Sequence, residues 1–266
     1  RKLLGLSKAI NGSRNRPFFV LGGFGPSADK DYFLQISGAD AVVHGEGEIT
    51  IVELLDALEN KRPLGDVKGI AFKDGDKVVT TPKRPLIEDI DNIPLPAYDM
   101  FPMEIYRLVR FAHMEPTDHA LPVLSGRGCT FRCTFCYRME EGFRPRSTES
   151  VLEEVAILQK DYGITYVYFN DELLMNSKKR VIAFSEAIIK SGMKFKWACC
   201  GRLNYAVPEV LKVMKKAGCV IIAYGIEAMD NEVLKHMKKG LRVDQIYSGI
   251  EATLESGISP GFNILF

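Results

Sequence analysis

The sequence predicts an α/β protein built in two parts. Three observations carry this reading. Short apolar strands alternate with amphipathic helices along most of the chain. A proline-dense stretch interrupts the alternation near its middle. After it the rhythm becomes regular, with five strand units and helices between them.

In the first part, Phe18–Leu21 reads as a short apolar strand closed by Gly22, Gly23 and Pro26. Asp29–Ile36 reads as a short helix, and Ala41–Val43 as a second buried strand ending at Gly45-Glu46-Gly47-Glu48. Thr50 is placed to cap a helix over Ile51–Leu58. Strand–helix–strand–helix predicts a parallel sheet. Ile70–Phe72 and Lys77–Thr80 then flank Asp74-Gly75-Asp76, a hairpin signal. Pro82, Pro85, Pro94, Pro96 and Pro102 break any helix and mark a linker.

In the second part, Leu121–Leu124 is strand-like and leads into a cysteine loop. Ser150 is placed to cap a helix over 151–161, and Thr165–Phe169 is β-branched and aromatic, as strands are. Residues 177–190 put Val181, Phe184, Ala187 and Ile188 on one helical stripe. Phe195–Cys199 and Cys219–Tyr224 read as strands around a helix at 207–216. Helices at 231–238 and 243–256 precede a last strand, Gly261–Phe266. Right-handed crossovers would curl such a sheet toward a barrel. The expected boundaries are residues 1–81, a linker over 82–117, and 118–266.

Composition excludes several classes. Lys and Arg total 35 against 34 for Asp and Glu, so no global charge invites nucleic acid. The apolar runs are too short to span a bilayer. The chain starts at Arg1 with no charged-then-apolar leader and stops in a strand-like run, so it reads as a fragment cut at both ends.

The six cysteines are Cys129, Cys133, Cys136, Cys199, Cys200 and Cys219. Three crowd into Cys129-Thr130-Phe131-Arg132-Cys133-Thr134-Phe135-Cys136, which favours a metal site in a reducing, cytoplasmic compartment over a secreted disulfide scaffold. A cubane iron–sulfur cluster takes four thiolates, so three protein ligands leave one iron open. A structural zinc would need a fourth ligand, for which His113 and His119 are nearest in sequence. Cys199 and Cys200, at a strand end, are open to a reactive role or to a place as small buried hydrophobes, and Cys219 suits a core. Arg127, Arg132, Arg138, Arg144 and Arg146 surround the loop as a solvated rim or a docking face.

Cys129-x3-Cys133-x-Phe135-Cys136 resembles the signature of the radical S-adenosylmethionine (SAM) superfamily, from about residue 118 to the end. The resemblance implies a partial (β/α)6 barrel. It also implies a [4Fe–4S] cluster on the three cysteines and SAM on the open iron, fed by a reducing electron donor such as flavodoxin or ferredoxin. Asp171 or Glu172 would accept the SAM ammonium, although either acid also suits a helix start. Arg202 would grip the SAM carboxylate. Gly225-Ile226-Glu227 is similar to the family's Gly-x-Glu element, whose acid holds the ribose hydroxyls, and Phe135 would lie near the adenine.

Gly22-Gly23 and the Gly38–Glu48 segment resemble the back half of the Rossmann-like cobalamin-binding domain that precedes many such barrels. The resemblance implies that Gly22 and Gly23 line the groove for the cobalamin nucleotide tail. The family's Asp-x-His-x-x-Gly cobalt-ligating loop is expected before Arg1. The function implied is cobalamin-dependent methyl transfer to a small-molecule or peptide substrate. The alternatives are a radical cyclase or rearrangement enzyme, and a cobalamin- or zinc-binding sensor without turnover. A methylthiotransferase is disfavoured because residues 1–128 hold no cysteine.

Overall fold

A computed structural model describes residues 2–138 and 142–265. The chain forms two compact units divided between Glu88 and Asp89.

The first unit is α/β with helices on both faces of one sheet. Helix α1 (Lys2–Asn11) leads into β1 (Val20–Leu21), α2 (Phe24–Ala28), α3 (Lys30–Ser37), β2 (Ala41–Val43) and α4 (Glu48–Glu59). A hairpin of β3 (Ile70–Asp74) and β4 (Lys77–Thr80) completes the sheet in the order β1-β2-β3-β4. Only β1 and β2 run parallel; β3 and β4 are antiparallel to their neighbours. The period-2 geometry of β2 divides the core. Ala41 and Val43 pack with Leu54 and Ala57 of α4. Val42 faces the other way, with Phe19, Leu34 and Ala39. The expected cap at Thr50 gives way to Gly47, because α4 starts three residues earlier and the Thr50 hydroxyl instead bonds the Glu46 carbonyl.

The second unit begins with an irregular segment carrying the short α5 (Met103–Tyr106), followed by β5 (Ala120–Val123). A small antiparallel ribbon, β6 (Gly126–Cys129) and β7 (Gly142–Pro145), flanks the cysteine loop. Then come α6 (Thr148–Tyr162), β8 (Tyr166–Phe169), α7 (Lys178–Ser191), β9 (Lys196–Gly201), α8 (Pro208–Lys216), β10 (Cys219–Glu227), α9 (Asn231–His236), α10 (Val243–Glu255) and β11 (Ser259–Ile264). The five-stranded sheet runs β11-β10-β9-β8-β5, every pair parallel. Sequential order with helical returns puts all the strand C-termini on one edge.

One face of this sheet is sealed by the helices. Phe169, Phe184 and Trp197 meet edge to face, and Val181, Ile188, Leu211, Met214 and Tyr224 fill the space around them. Each such side chain, fully buried, contributes on the order of 2–3 kcal/mol. Cys199 and Cys219 belong to this core. On α7 the buried stripe takes Ser185 where Ala187 was expected, Ala187 being only partly covered. Helix α6 is capped by Ser147, whose side chain accepts the Ser150 N–H, so Ser150 lies inside the helix. The last strand starts two residues before the expected Gly261, and Phe266 lies outside the described residues.

The opposite face is lined by Ala120, Tyr166, Tyr168, Ala198 and Ile221. Phe111, from the segment before β5, stacks on both Tyr166 and Tyr168, with ring centroids 5.6 and 5.1 Å apart. Among the described residues no helix is long and apolar enough to cross a membrane.

Candidate active site

The residues singled out by the sequence in the second unit converge on the C-terminal edge of its parallel sheet. The cysteine loop leaves β5, Asp171 and Glu172 follow β8, Arg202 follows β9, and Glu227 ends β10. In parallel α/β sheets this edge collects ligand sites, because the connecting loops there are free to vary without disturbing the core.

The loop is held at its base by Asp171. Its carboxylate accepts the backbone N–H of Ser125 at 2.6 Å and of Gly126 at 3.1 Å, and the Ser125 hydroxyl as well. Arg180 closes the brace from α7, donating to the Ser125 carbonyl at 2.7 Å. Burial pushes the Asp171 pKa up, against the pull of the Ser125 and Gly126 donors and the Arg180 charge. Asp171 is 3% exposed, and its oxygens are committed to the loop. Of the two acids expected at the SAM ammonium, Asp171 braces the base of the loop. Glu172 is exposed beside it.

Cys129 and Cys133 are partly exposed and Cys136 more so, all as free thiols. Burial raises the Cys136 pKa first, followed by the charges of Cys129, Cys133 and Glu172, with Arg138 opposing. The three sulfurs and Glu172 thus lie within electrostatic range of one another. A bound cation removes that penalty by deprotonating thiols outright. Among the described residues, no three His, Cys, Asp or Glu side chains stand close enough to share a single metal ion. Tetrahedral zinc would hold thiolates about 3.8 Å apart, from Zn–S bonds of about 2.3 Å. A cubane puts each thiolate on its own iron, at wider spacing, so this donor set suits a cluster better than zinc. His113 and His119 precede β5 and so lie at the other end of the sheet from the loop that follows it, which removes them as a fourth ligand.

Arg202 is 6% exposed and anchored on three sides. Its guanidinium stacks on Phe131 of the cysteine loop, 3.5 Å from the ring centroid. One amino group donates to the Lys239 carbonyl, and another reaches the Cys133 sulfur at 3.9 Å. Glu227 is equally buried and sits at φ 68°, left-handed backbone that a glutamate rarely adopts. It pairs with the Lys239 ammonium at 2.9 Å. A Cβ on Gly225 would collide with the Glu227 carboxylate and lie 2.7 Å from the Lys239 nitrogen, which is why this strand position carries none. The register against β11 shifts between Gly225 and Glu227, so the bulge turns Glu227 toward the loop edge. Phe135 is 41% exposed, 5.7 Å from the Lys239 ammonium to its ring centroid.

Four features were not legible in the sequence. Ser125 and Arg180 complete the brace, Phe131 is the platform for Arg202, and Lys239 joins Glu227; none has a spacing signal, because each is matched only through space. Two arginines of the expected rim are spent inside the unit. Arg146 pairs with Glu154 and donates to the Leu124 carbonyl at 2.9 Å, and Arg138 bonds the Phe131 carbonyl at 3.1 Å. Cys200 lies on the face opposite Cys199, its sulfur 3.4 Å from the Tyr168 hydroxyl. His236 is tied to the Glu232 carbonyl, and His44 is buried in the first unit, where burial lowers its pKa.

The radical SAM superfamily model matches residues 123–266, more than half of the chain. The chain belongs to the radical SAM superfamily. Curated relatives agree over most of its length. An uncharacterized methyltransferase of Pyrococcus horikoshii is 36% identical over 222 residues, covering 82% of this chain and 47% of the relative. The anaerobic magnesium-protoporphyrin IX monomethyl ester cyclase of Cereibacter sphaeroides is 32% identical over 230 residues, covering 82% of this chain and 36% of the relative. The chain thus spans about half or less of these proteins. Among solved structures, the cobalamin-dependent SAM radical enzyme OxsB, with aqua-cobalamin and SAM bound, superimposes with a TM-score of 0.80 at 22% identity, over 97% of this chain and 38% of that one. The radical SAM methyltransferase TsrM of Kitasatospora setae, with cobalamin and a [4Fe–4S] cluster bound, gives 0.81 at 19% identity, over 99% and 54%. Both likenesses extend across the two units, so this radical SAM chain shares its α/β fold with them.

Proposed function

We propose that this chain is the core of a cobalamin-dependent radical SAM methyltransferase. The observation that carries the reading is the braced three-cysteine loop, with Arg202, Glu227 and Phe135 around it, on the C-terminal edge of a parallel sheet. Bound here, the cluster would supply the electron for reductive cleavage of SAM and so open radical chemistry at an unreactive carbon, and methylcobalamin would supply the methyl group.

The chain's own residues bind and orient these groups. Cys129, Cys133 and Cys136 would hold the cluster. Arg202, fixed by the Phe131 ring and the Lys239 carbonyl, meets the SAM carboxylate with little rotamer freedom left to lose. Glu172 takes the ammonium, since Asp171 is committed to the loop. Glu227 accepts the ribose hydroxyls, Gly225 leaves room for that carboxylate, and Phe135 offers a partly exposed ring to the adenine. In the first unit, Gly22 and Gly23 end β1 on exposed backbone, where the nucleotide tail of cobalamin can approach closely. Exposed arginine at the loop gives an acidic electron donor a surface to meet. A radical cyclase is the second reading, favoured by the 32% identity to the Cereibacter sphaeroides enzyme.

The test uses the full-length protein, reconstituted anaerobically with iron and sulfide. About four irons per chain and release of 5′-deoxyadenosine from SAM under a low-potential reductant are expected. Replacing Cys129, Cys133 and Cys136 together with Ala removes both. Retention of the iron–sulfur absorption in that variant overturns the assignment. Corrin retention and methyl transfer from methyl-labelled SAM separate a methyltransferase from a cyclase, which transfers no label.

A further inference from the structure

The turn after α9, Met237 to Gly240, touches the cysteine loop, Arg202 and Glu227. The Met237 carbonyl accepts the Thr134 N–H of the cysteine loop at 3.0 Å. The Lys239 carbonyl accepts from Arg202, and the Gly240 carbonyl from the Asn204 side chain at 2.6 Å. Lys238 and Gly240 both lie in the left-handed region, at φ 51° and 63°. This double reversal turns Lys239 inward, where it is 6% exposed, and its ammonium reaches Glu227.

Three costs meet at this spot. A lysine gives up its hydration, a glutamate sits in left-handed backbone, and a strand position forgoes its side chain. A buried ion pair is a poor way to gain stability, because desolvation consumes most of the attraction. Strained and desolvated groups of this kind cluster where a ligand is bound. The pair also has a directional result. Lys239 occupies Oε1 of Glu227, while Oε2 receives no hydrogen bond from any described residue.

We propose that Lys239 is a positioning residue: it fixes the Glu227 carboxylate so that Oε2 faces a vicinal diol, the ribose of SAM. This inference rests on the SAM reading above. Lys239 acts through Glu227 and makes no contact of its own with the reacting atoms.

The test measures selectivity for the diol, which a general loosening of the turn does not change. Full-length protein is titrated anaerobically with S-adenosylhomocysteine and with its 2′,3′-dideoxy analogue. The variants are Lys239→Met, which keeps the aliphatic stem, Lys239→Arg, which keeps the charge, and Glu227→Gln. Wild-type protein is expected to prefer the diol about ten- to hundredfold, the range for hydrogen bonds to a charged group. Lys239→Met and Glu227→Gln both bring that ratio close to one, and Lys239→Arg restores most of it. If Lys239→Met weakens both ligands equally and keeps the ratio, Lys239 is merely structural and the inference is overturned. If wild-type protein binds neither ligand, the SAM reading itself falls, an outcome distinct from an unchanged ratio.

Discussion

The backbone N–H of Ser125 and the carboxylate of Asp171 meet at 2.6 Å, 46 residues apart in sequence. Through this bond the end of β8 fixes the point where the cysteine loop leaves β5. Arg180, on the following helix, bonds the same serine from its carbonyl side. The loop thus starts from a rigid base although its cysteines are exposed to varying degrees.

Asp171→Ala is expected to cost roughly 2–3 kcal/mol, because two backbone donors and a hydroxyl lose their buried acceptor. Urea unfolding of the apo protein measures the loss. Iron bound after reconstitution should fall as well, since the first thiolate is no longer held in register. Unchanged stability together with unchanged iron content counts against the brace.

Gly225→Ala should separate folding from binding. Its Cβ meets the ends of two long side chains, Glu227 and Lys239, so the pair can part at a cost of about 1–2 kcal/mol. A thermal melt should register only that modest loss. Affinity for S-adenosylhomocysteine, read by calorimetry, should drop at least tenfold as Glu227 is displaced. Wild-type affinity in a well-folded variant would remove Glu227 from the ligand site.

For the first unit, Gly22→Val is the sharper probe of cobalamin binding. A side chain there meets only Val43, 3.9 Å away, so the apo protein should keep its thermal midpoint. Gly23→Val adds strain at φ 93° and should lower the midpoint as well. Full-length protein is reconstituted with hydroxocobalamin, desalted and read by corrin absorption. Retention of corrin by Gly22→Val equal to wild type would place the nucleotide tail elsewhere.

Asp118 supplies a pH test far from the site. Burial alone would raise its pKa, but hydrogen bonds from Lys196, the Glu115 N–H and Thr165 outweigh it and hold the carboxyl at about 2, against an ordinary 3.8. A depressed carboxylate stabilises the fold above its unfolded pKa and stops doing so as pH falls through the folded one. Asp118→Asn should therefore lose roughly 1–2 kcal/mol near neutrality. Its stability curve should converge with wild type between pH 3.8 and about 2. Parallel curves over that interval would show that Asp118 carries no such charge-dependent stability.

The sequence by itself determined the α/β class, the five parallel strands and the cysteine loop, since each rests on local chemistry. Periodicity marks which face of α7 is buried, and three thiols within one short loop announce a metal whatever surrounds them. The family resemblance also marked Arg202 and Glu227, after β9 and at the end of β10. What only the tertiary structure decided is how these groups are used. Asp171 and Glu172 are adjacent acids with the same local signature, yet one is buried against Ser125 and Gly126 and the other is exposed. Lys239 follows another lysine in an ordinary-looking turn, and only the reversal at Lys238 and Gly240 brings it to Glu227. The segment before β5, expected as a linker, places Phe111 against Tyr166 and Tyr168. In each case the deciding partner carries no local signal, and its contribution is the desolvation, stacking and hydrogen bonding that folding alone creates.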